Sequence, residues 1–165
     1  MNARQEKGGR GAQVEASDPR ASVFVAANAG SGKTSTLVTR VARLLLTGAP
    51  PEAILCVTFT KAAAAEMQRR LFKQLGAWAV MPDVKLTQAL AEIDEDGRDL
   101  EQARALFARA LETPGGLKIQ TIHAFCEKLL RRFPLEAGVA PGFQVLEASA
   151  AAEVSARARD DVARF

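Results

Sequence analysis

The chain contains the run Ala27-Asn28-Ala29-Gly30-Ser31-Gly32-Lys33-Thr34 directly after four apolar residues, Val23-Phe24-Val25-Ala26. A helical pattern begins near Thr34, so the order is strand, glycine-rich turn and helix, which is the setting of a phosphate-binding loop. Small residues let backbone N–H groups surround a polyphosphate, and the helix start adds N–H donors and a partial positive charge. The run therefore predicts a nucleotide-binding loop over residues 27–34.

Two side chains of this run carry the expected chemistry. Lys33 supplies a cation for the β- and γ-phosphates, and the Thr34 hydroxyl is suited to coordinate Mg²⁺. Ala27 stands where the general pattern G-x-x-x-x-G-K-[ST] has glycine, and alanine is unfavourable wherever φ is positive. The alternative is a chance Gly/Ser turn ahead of a helix.

The bulk properties of the 165 residues are those of an ordinary globular protein, with 48% hydrophobic and 25% charged residues. No apolar run approaches the ~18–20 residues of a membrane span, and the N-terminus lacks a signal-peptide core, so a cytoplasmic location is expected. The net charge of +3 is compatible with nucleic acid but too small to argue for it alone. Cys56 and Cys126 lie far apart, which predicts two buried thiols rather than a disulfide or a metal pair.

The pattern around the loop alternates between strand and helix. Val23 to Ala26 predicts a buried strand, and residues 54–58 predict a second one. Thr60 is the expected N-cap of a helix that runs from Lys61 to about residue 75. Strand–helix–strand–helix with short connections predicts an α/β fold with a parallel sheet and right-handed crossovers.

The rest of the chain divides into further segments. Residues 82–113 show two amphipathic periods and predict a helical insertion, after which residues 117–121 return as a third strand. A helix is expected over 122–133, a short strand over 143–146 and an uncapped helix over 149–165. The predicted division is a disordered tail over 1–12, a nucleotide-binding β/α core over 13–81, the insertion over 82–116, and a continuation of the core over 117–165.

Three blocks in this order resemble superfamily 1 DNA helicases of the UvrD/Rep type. The first is the loop itself, because Ala27 is usual in that family's A-x-A-G-S-G-K-T. The second, residues 58–67, reads TFTKAAAAEM and is similar to F-T-N-K-A-A-x-E-M without the Asn. The third, residues 121–126, reads TIHAFC and is similar to T-x-H-x-F. The resemblance implies a P-loop NTPase of RecA-like fold that uses ATP and Mg²⁺ and acts on single- and double-stranded DNA.

Two further stretches narrow the resemblance. Residues 111–120, LETPGGLKIQ, and 132–138, RFPLEAG, look like the AddA-type helicase–nuclease subunits of bacterial AddAB double-strand-break repair enzymes. The resemblance runs from about Gln13 to Leu146. It implies a role in repair and recombination, exonuclease activity of the whole enzyme and an AddB-like partner subunit.

The resemblance also implies roles for single residues. Gln13 matches the family's adenine-reading glutamine, and a primary amide can both donate and accept hydrogen bonds. Gln5 in the tail fits the family spacing less well, and a solvent-exposed Gln13 without this role is the alternative.

The second and third blocks match the family's contacts to single-stranded DNA, which offer a ring for stacking and polar groups for phosphate. The candidates are Phe59, Thr60, Lys61, Thr121, His123 and Phe125. For Phe59 and Phe125 the alternative is core packing, and a lone histidine such as His123 is often structural. Glu66 and Met67 are expected on a helix face and in the core.

Hydrolysis in the family requires an Asp-Glu pair after an apolar strand and arginines from a second motor domain. Asp94-Glu95 follows a helical period instead, so it is interpreted as part of a solvated helix end. No catalytic residue is therefore expected, and the chain is interpreted as the N-terminal fragment of a larger enzyme that at most binds ATP. The alternatives are a stand-alone P-loop module without motor activity, and a truncated structural protein without function.

Overall fold

The computed structural model describes residues 11–26, 28, 30–146 and 148–164. Residues 11–16 are helical, including the first two, which the sequence assigned to the tail. In chain order the elements that follow are α1 (Lys33–Leu46), a short 3-10 turn (Pro51–Ala53), β1 (Leu55–Thr58), α2 (Lys61–Val80), α3 (Asp83–Ala91), α4 (Leu100–Leu111), β2 (Lys118–Thr121), α5 (Ile122–Arg132) and α6 (Ala148–Val162).

The described residues form two compact units, which divide between Thr121 and Ile122. The first unit contains a parallel pair of strands in which Leu55 lies opposite Lys118 and Thr58 opposite Thr121. This pairing confirms the predicted second and third strands and their parallel direction. The two strands therefore end side by side, at Thr58 and Thr121.

The expected strand at Val23–Ala26 is wrong for this structure, and so is the one over 143–146. Residues 22–26 and 143–146 have no regular secondary structure, and the sheet of the described residues consists of β1 and β2. Phe24 is 93% exposed. A strand needs a hydrogen-bonded neighbour, and an apolar sequence alone cannot supply one.

The core of the first unit joins α1, α2, α3 and α4. Helix α2 lies at its centre, because it packs against α1, α4 and both strands. Phe72 of α2 and Phe107 of α4 meet edge to face, with ring centroids 6.1 Å apart. The apolar side chains that fill this core come from five elements: Val38, Val41, Ala42, Leu45, Leu46, Cys56, Met67, Leu71, Leu75, Trp78, Leu86, Leu90, Ala103, Leu106 and Ala110.

Local signals explain where several helices begin and end. Thr60 caps α2, since its hydroxyl oxygen accepts a hydrogen bond of 3.1 Å from the Ala63 N–H, as predicted. Helix α1 ends where Gly48 adopts a φ of 90°, in the left-handed region that glycine tolerates best. At the start of α3, Arg104 donates 2.6 Å and 2.9 Å hydrogen bonds to the Asp83 carboxylate and the Met81 carbonyl.

The second unit consists of α5, the connection after it and α6. None of its described residues is buried. Arg131 of α5 pairs with Glu127 one turn earlier at 2.8 Å, and its guanidinium lies 5.1 Å from the ring centre of Phe143. None of the helices described between residues 11 and 164 combines the length and the hydrophobicity needed to traverse a lipid bilayer.

Leu71→Ala tests the central position of α2. The side chain of Leu71 is fully buried, so its truncation is expected to lower the free energy of unfolding by about 2–5 kcal/mol through lost burial and a cavity. Leu111→Ala is the matched control, because Leu111 is 64% exposed. Urea denaturation measures both, and equal losses in the two variants would contradict the assignment of the core.

Candidate nucleotide site

The loop between Asn28 and Lys33 folds back on itself. The Ser31 N–H donates to the Asn28 carbonyl at 3.3 Å, and Lys33 Nζ donates to the same oxygen at 2.5 Å. Gly30 and Gly32 adopt φ values of 79° and 87°, which residues with side chains rarely adopt. Ala27 and Ala29 lie outside the described residues, so the expected strain at Ala27 stays a prediction.

Helix α1 begins at Lys33 with Gly32 as its N-cap, close to the predicted start. Gly32 has no side chain to cap the helix, and the first turn carries no acidic residue. The first N–H groups of α1 therefore point out of an end with partial positive charge and no competing carboxylate in that turn. This arrangement favours an anion such as a phosphate. Thr34 lies exposed in the first turn of the helix.

Gln13 lies against this loop. Its side-chain Nε2 donates to the Ser31 carbonyl at 3.3 Å. A Cβ placed on Gly32 would stand 2.9 Å from the same nitrogen, closer than real contacts allow. The backbone conformation therefore favours glycine at position 32, and a larger residue there would also displace the end of the Gln13 side chain. The structure brings the predicted base-reading residue and the predicted phosphate loop into one site.

Two arginines of α1, which the sequence interpretation missed, hold the segment that carries Gln13. Arg40 donates 2.6 Å hydrogen bonds to the carbonyls of Asp18 and Ala21. Arg43 donates to the Val14 carbonyl at 2.9 Å and to the Ser17 hydroxyl at 3.0 Å. The signal for Arg43 was available in the sequence, because a charged residue interrupts the apolar stripe of an otherwise amphipathic helix.

The interpretation of Asp94-Glu95 as a solvated helix end is wrong for Glu95. The Glu95 side chain is 5% exposed and accepts a 2.9 Å hydrogen bond from Arg43 Nε, which belongs to a side chain that is 2% exposed. Arg98 also donates to Glu95, at 2.6 Å. Asp94 remains 66% exposed, with its carboxylate 3.6 Å from Arg43. Burial of Glu95 depends on the partner arginine of α1, which no local pattern reveals.

The DNA-contact candidates of the first unit lie at the adjacent ends of β1 and β2. Phe59 follows β1 and is 84% exposed, so this structure does not place it in the core. Lys61 is exposed at the first position of α2, whereas Thr121 is buried at the end of β2. A cation at a helix N-terminus is electrostatically unfavourable, so Lys61 does not stabilise α2 from this position.

The remaining candidates lie on α5 in the second unit, where His123 is exposed and Phe125 is half-buried. The expectation of two buried thiols holds for Cys56, whose pKa is raised by burial, and is wrong for Cys126, which is exposed. Met67 is buried and Glu66 lies on a helix face beside Arg69, as predicted. Within residues 11–164 as described, no group of His, Cys, Asp and Glu could hold a metal ion by itself.

Over residues 10–163 the chain matches the UvrD/REP helicase N-terminal domain, and it therefore belongs to this family. Its relatives include the A-type subunit of the ATP-dependent helicase/nuclease of Carboxydothermus hydrogenoformans, 38% identical over 128 residues that cover 76% of this chain and 9% of the relative. The protein of the same name from Pelotomaculum thermopropionicum is 34% identical over 154 residues, 91% of this chain and 11% of the relative. The protein of that name from Lactobacillus gasseri is 37% identical over 132 residues, which cover 80% of this chain and 9% of the relative.

These similarities confirm the UvrD/Rep resemblance and its narrowing to the AddA type. The chain spans about a tenth of the length of these curated relatives. In coarse terms the fold is a UvrD-type N-terminal helicase domain, helix-rich with a small parallel sheet, and the relatives bear the name of an ATP-dependent helicase/nuclease subunit.

The turn after Gln13 gives a test at acidic pH. Hydrogen bonds from the Arg20 side chain and backbone lower the pKa of Asp18 from 3.8 to about 2. Since the folded-state pKa is depressed, this contribution to stability is present above about pH 4 and is lost as the pH falls through about 2. We expect an NMR titration of the Asp18 carboxyl to show a midpoint near 2.

Arg20→Ala is the control for this titration, because it removes the donor and should return the pKa of Asp18 toward its ordinary value. A midpoint near 3.8 in the unmodified chain would contradict the Asp18–Arg20 geometry.

Proposed function

We propose that this chain is the ATP-binding part of the first motor domain of an ATP-dependent DNA helicase–nuclease that acts in double-strand-break repair and recombination. The observation that carries the proposal is the contact between Gln13 and the glycine loop at Ser31. It supports a site in which one amide faces the base while the loop and the start of α1 face the phosphates. The full fold would be RecA-like, a parallel sheet with helices on both faces, of which β1 and β2 form one part.

In this proposal each residue of the loop has a defined part. Backbone N–H groups of residues 27–32 surround the phosphates, and Lys33 exchanges its hydrogen bond to Asn28 for one to the β- and γ-phosphates. The Thr34 hydroxyl coordinates the Mg²⁺ that accompanies ATP. We assign no catalytic residue to this chain, so it binds ATP while hydrolysis belongs to the whole enzyme.

The domain boundaries follow the same proposal. Residues 13–81 form the nucleotide-binding core, residues 82–116 the helical insertion, and residues 117–165 the continuation of the motor domain. An AddB-like subunit is the proposed partner. The proposed substrate, chromosomal DNA, lies in the cytoplasm of bacteria, and we place the protein there.

We propose a DNA-binding edge formed by Phe59, Thr60 and Lys61 after β1 together with Thr121 at the end of β2. Its support is the parallel register, which puts Thr58 and Thr121 side by side, and the exposure of the Phe59 ring. An exposed ring next to an ammonium group suits single-stranded DNA, in which bases stack and phosphates attract cations. His123 and Phe125 of α5 are proposed as further contacts from the second unit.

The phosphate loop is tested by Lys33→Ala. Loss of the ammonium is expected to weaken Mg-ATP binding by about 10- to 100-fold, because a hydrogen bond to a charged group contributes ~1.5–3 kcal/mol. Isothermal titration calorimetry of the whole chain measures the change. Lys73→Ala, an exposed lysine on α2, is the control and should leave the affinity unchanged. An unaltered affinity in Lys33→Ala would falsify the loop assignment.

The DNA-binding edge is tested by Lys61→Ala and Phe59→Ala. Lys61→Ala should weaken binding of a single-stranded oligonucleotide and reduce the salt slope by about 0.7, the value for one phosphate contact. Phe59→Ala should cost about 1–3 kcal/mol through lost stacking. Fluorescence anisotropy at several salt concentrations measures both effects.

Lys85→Ala on the insertion is the control, since Lys85 is exposed on α3. Binding that is indifferent to both edge substitutions would remove this support for a motor. That result would favour the alternative, a stand-alone nucleotide-binding module. The family membership argues against this alternative.

A further inference from the structure

A cavity of about 200 Å³ opens beside the phosphate loop. Its lining includes Gln13, Ser35 and Thr39 of α1, and Glu92 and Ile93 just after α3. Ligand sites for whole small molecules usually enclose roughly 300–1,000 Å³, so this cavity suits one part of a nucleotide rather than all of it. Because Gln13 is part of its lining, the part of the nucleotide that this cavity suits is the base.

The amide of Gln13 retains what adenine recognition requires. Nε2 donates one of its two N–H groups to the Ser31 carbonyl. The second N–H can still donate to a base, and Oε1 can accept from one. Adenine offers an acceptor at N7 next to the donor at N6, and a glutamine amide can bond both. Guanine offers acceptors at both N7 and O6, so the same amide cannot satisfy it equally.

Two sides of this cavity are held by one guanidinium. Arg43 binds the Val14 carbonyl and the Ser17 hydroxyl on the Gln13 side. Its Nε donates to Glu95, two residues after Ile93, on the insertion side. Asp94, just before Glu95, adopts a φ of 60°. The Glu95 N–H donates a 2.9 Å hydrogen bond to the Leu90 carbonyl, which closes the turn after α3.

A buried ion pair is a costly way to gain stability. Removing Arg43 and Glu95 from water carries a desolvation penalty that their attraction only partly offsets, and apolar residues of similar size often stabilise a core as well or better. What the pair provides instead is a fixed geometry, because the planar fork of an arginine bonds its partners in defined directions. Here the pair joins the segment that carries Gln13 to the chain that follows α3.

We propose that Arg43 and Glu95 are positioning residues for base selectivity: they fix Gln13 against the insertion residues Glu92 and Ile93, so that the cavity accepts adenine and rejects guanine. This inference rests on the proposed ATP-binding function and adds the insertion to it as a specificity element. The phosphate contacts of Lys33 do not depend on the pair.

Glu95→Gln tests this role, since it keeps the volume and one acceptor oxygen but removes the charge that orients Arg43. We expect the preference for Mg-ATP over Mg-GTP to fall by about tenfold, the size of one lost hydrogen bond. Affinity for Mg-tripolyphosphate, which has no base, should stay the same. A merely structural role for Glu95 would lower all three affinities together. Calorimetry on the whole chain measures them.

Asp83→Asn is the matched control, because it also turns a paired carboxylate of the insertion into an amide but lies with Arg104, away from the lining of the cavity. It should leave the ATP-to-GTP ratio unchanged. Glu92→Ala is a second test that spares the core, since Glu92 is exposed. It should lower the ratio in the same direction, and it decides the matter if Glu95→Gln does not fold.

The outcomes separate this inference from the function on which it rests. An unmodified chain that binds no nucleotide, or that is indifferent to Lys33→Ala, overturns both. Binding that needs Lys33, with an ATP-to-GTP ratio unmoved by Glu92→Ala and by a folded Glu95→Gln, overturns the positioning role alone.

Discussion

The guanidinium of Arg43 is the point at which three parts of the first unit meet. It lies almost fully buried on α1, binds the backbone of the Gln13 segment on one side, and pairs with Glu95 beyond α3 on the other. A lysine could not replace it, because a single ammonium lacks the planar fork that serves several acceptors at fixed angles. The apolar core of α1, α2 and α4 brings these elements near one another, and Arg43 links them through hydrogen bonds.

The glycine loop takes its shape from its own glycines and contacts the Gln13 segment at Ser31. Gly32 gives the loop its left-handed turn, and the amide of Gln13 lies next to its Cα. Gln13 in turn stays in place because Arg40 and Arg43 bind the carbonyls around it. The Gln13 segment, helix α1 and the glycine loop are thus joined by hydrogen bonds.

Features with local causes could be predicted from the sequence, and features with distant causes could not. The cap at Thr60, the helices and the two paired strands follow from apolar periods and turn residues within a few positions. The apolar run from Val23 to Ala26 looks like a strand by the same criteria, yet strand formation depends on a neighbour elsewhere. The burial of Glu95 and the contact of Gln13 with the loop depend on tertiary partners, and the family resemblance supplied only the second.

The parallel pairing of β1 with β2 has a consequence for how this unit folds. The two strands are joined through all of α2, α3 and α4, so a long loop must close before their ladder can form, and that closure costs entropy. Contacts between successive helices close much shorter loops and are favoured to form earlier. The edge that presents Phe59 and Lys61 would then be completed only after the helices have assembled, so a nascent chain would form the glycine loop before this edge.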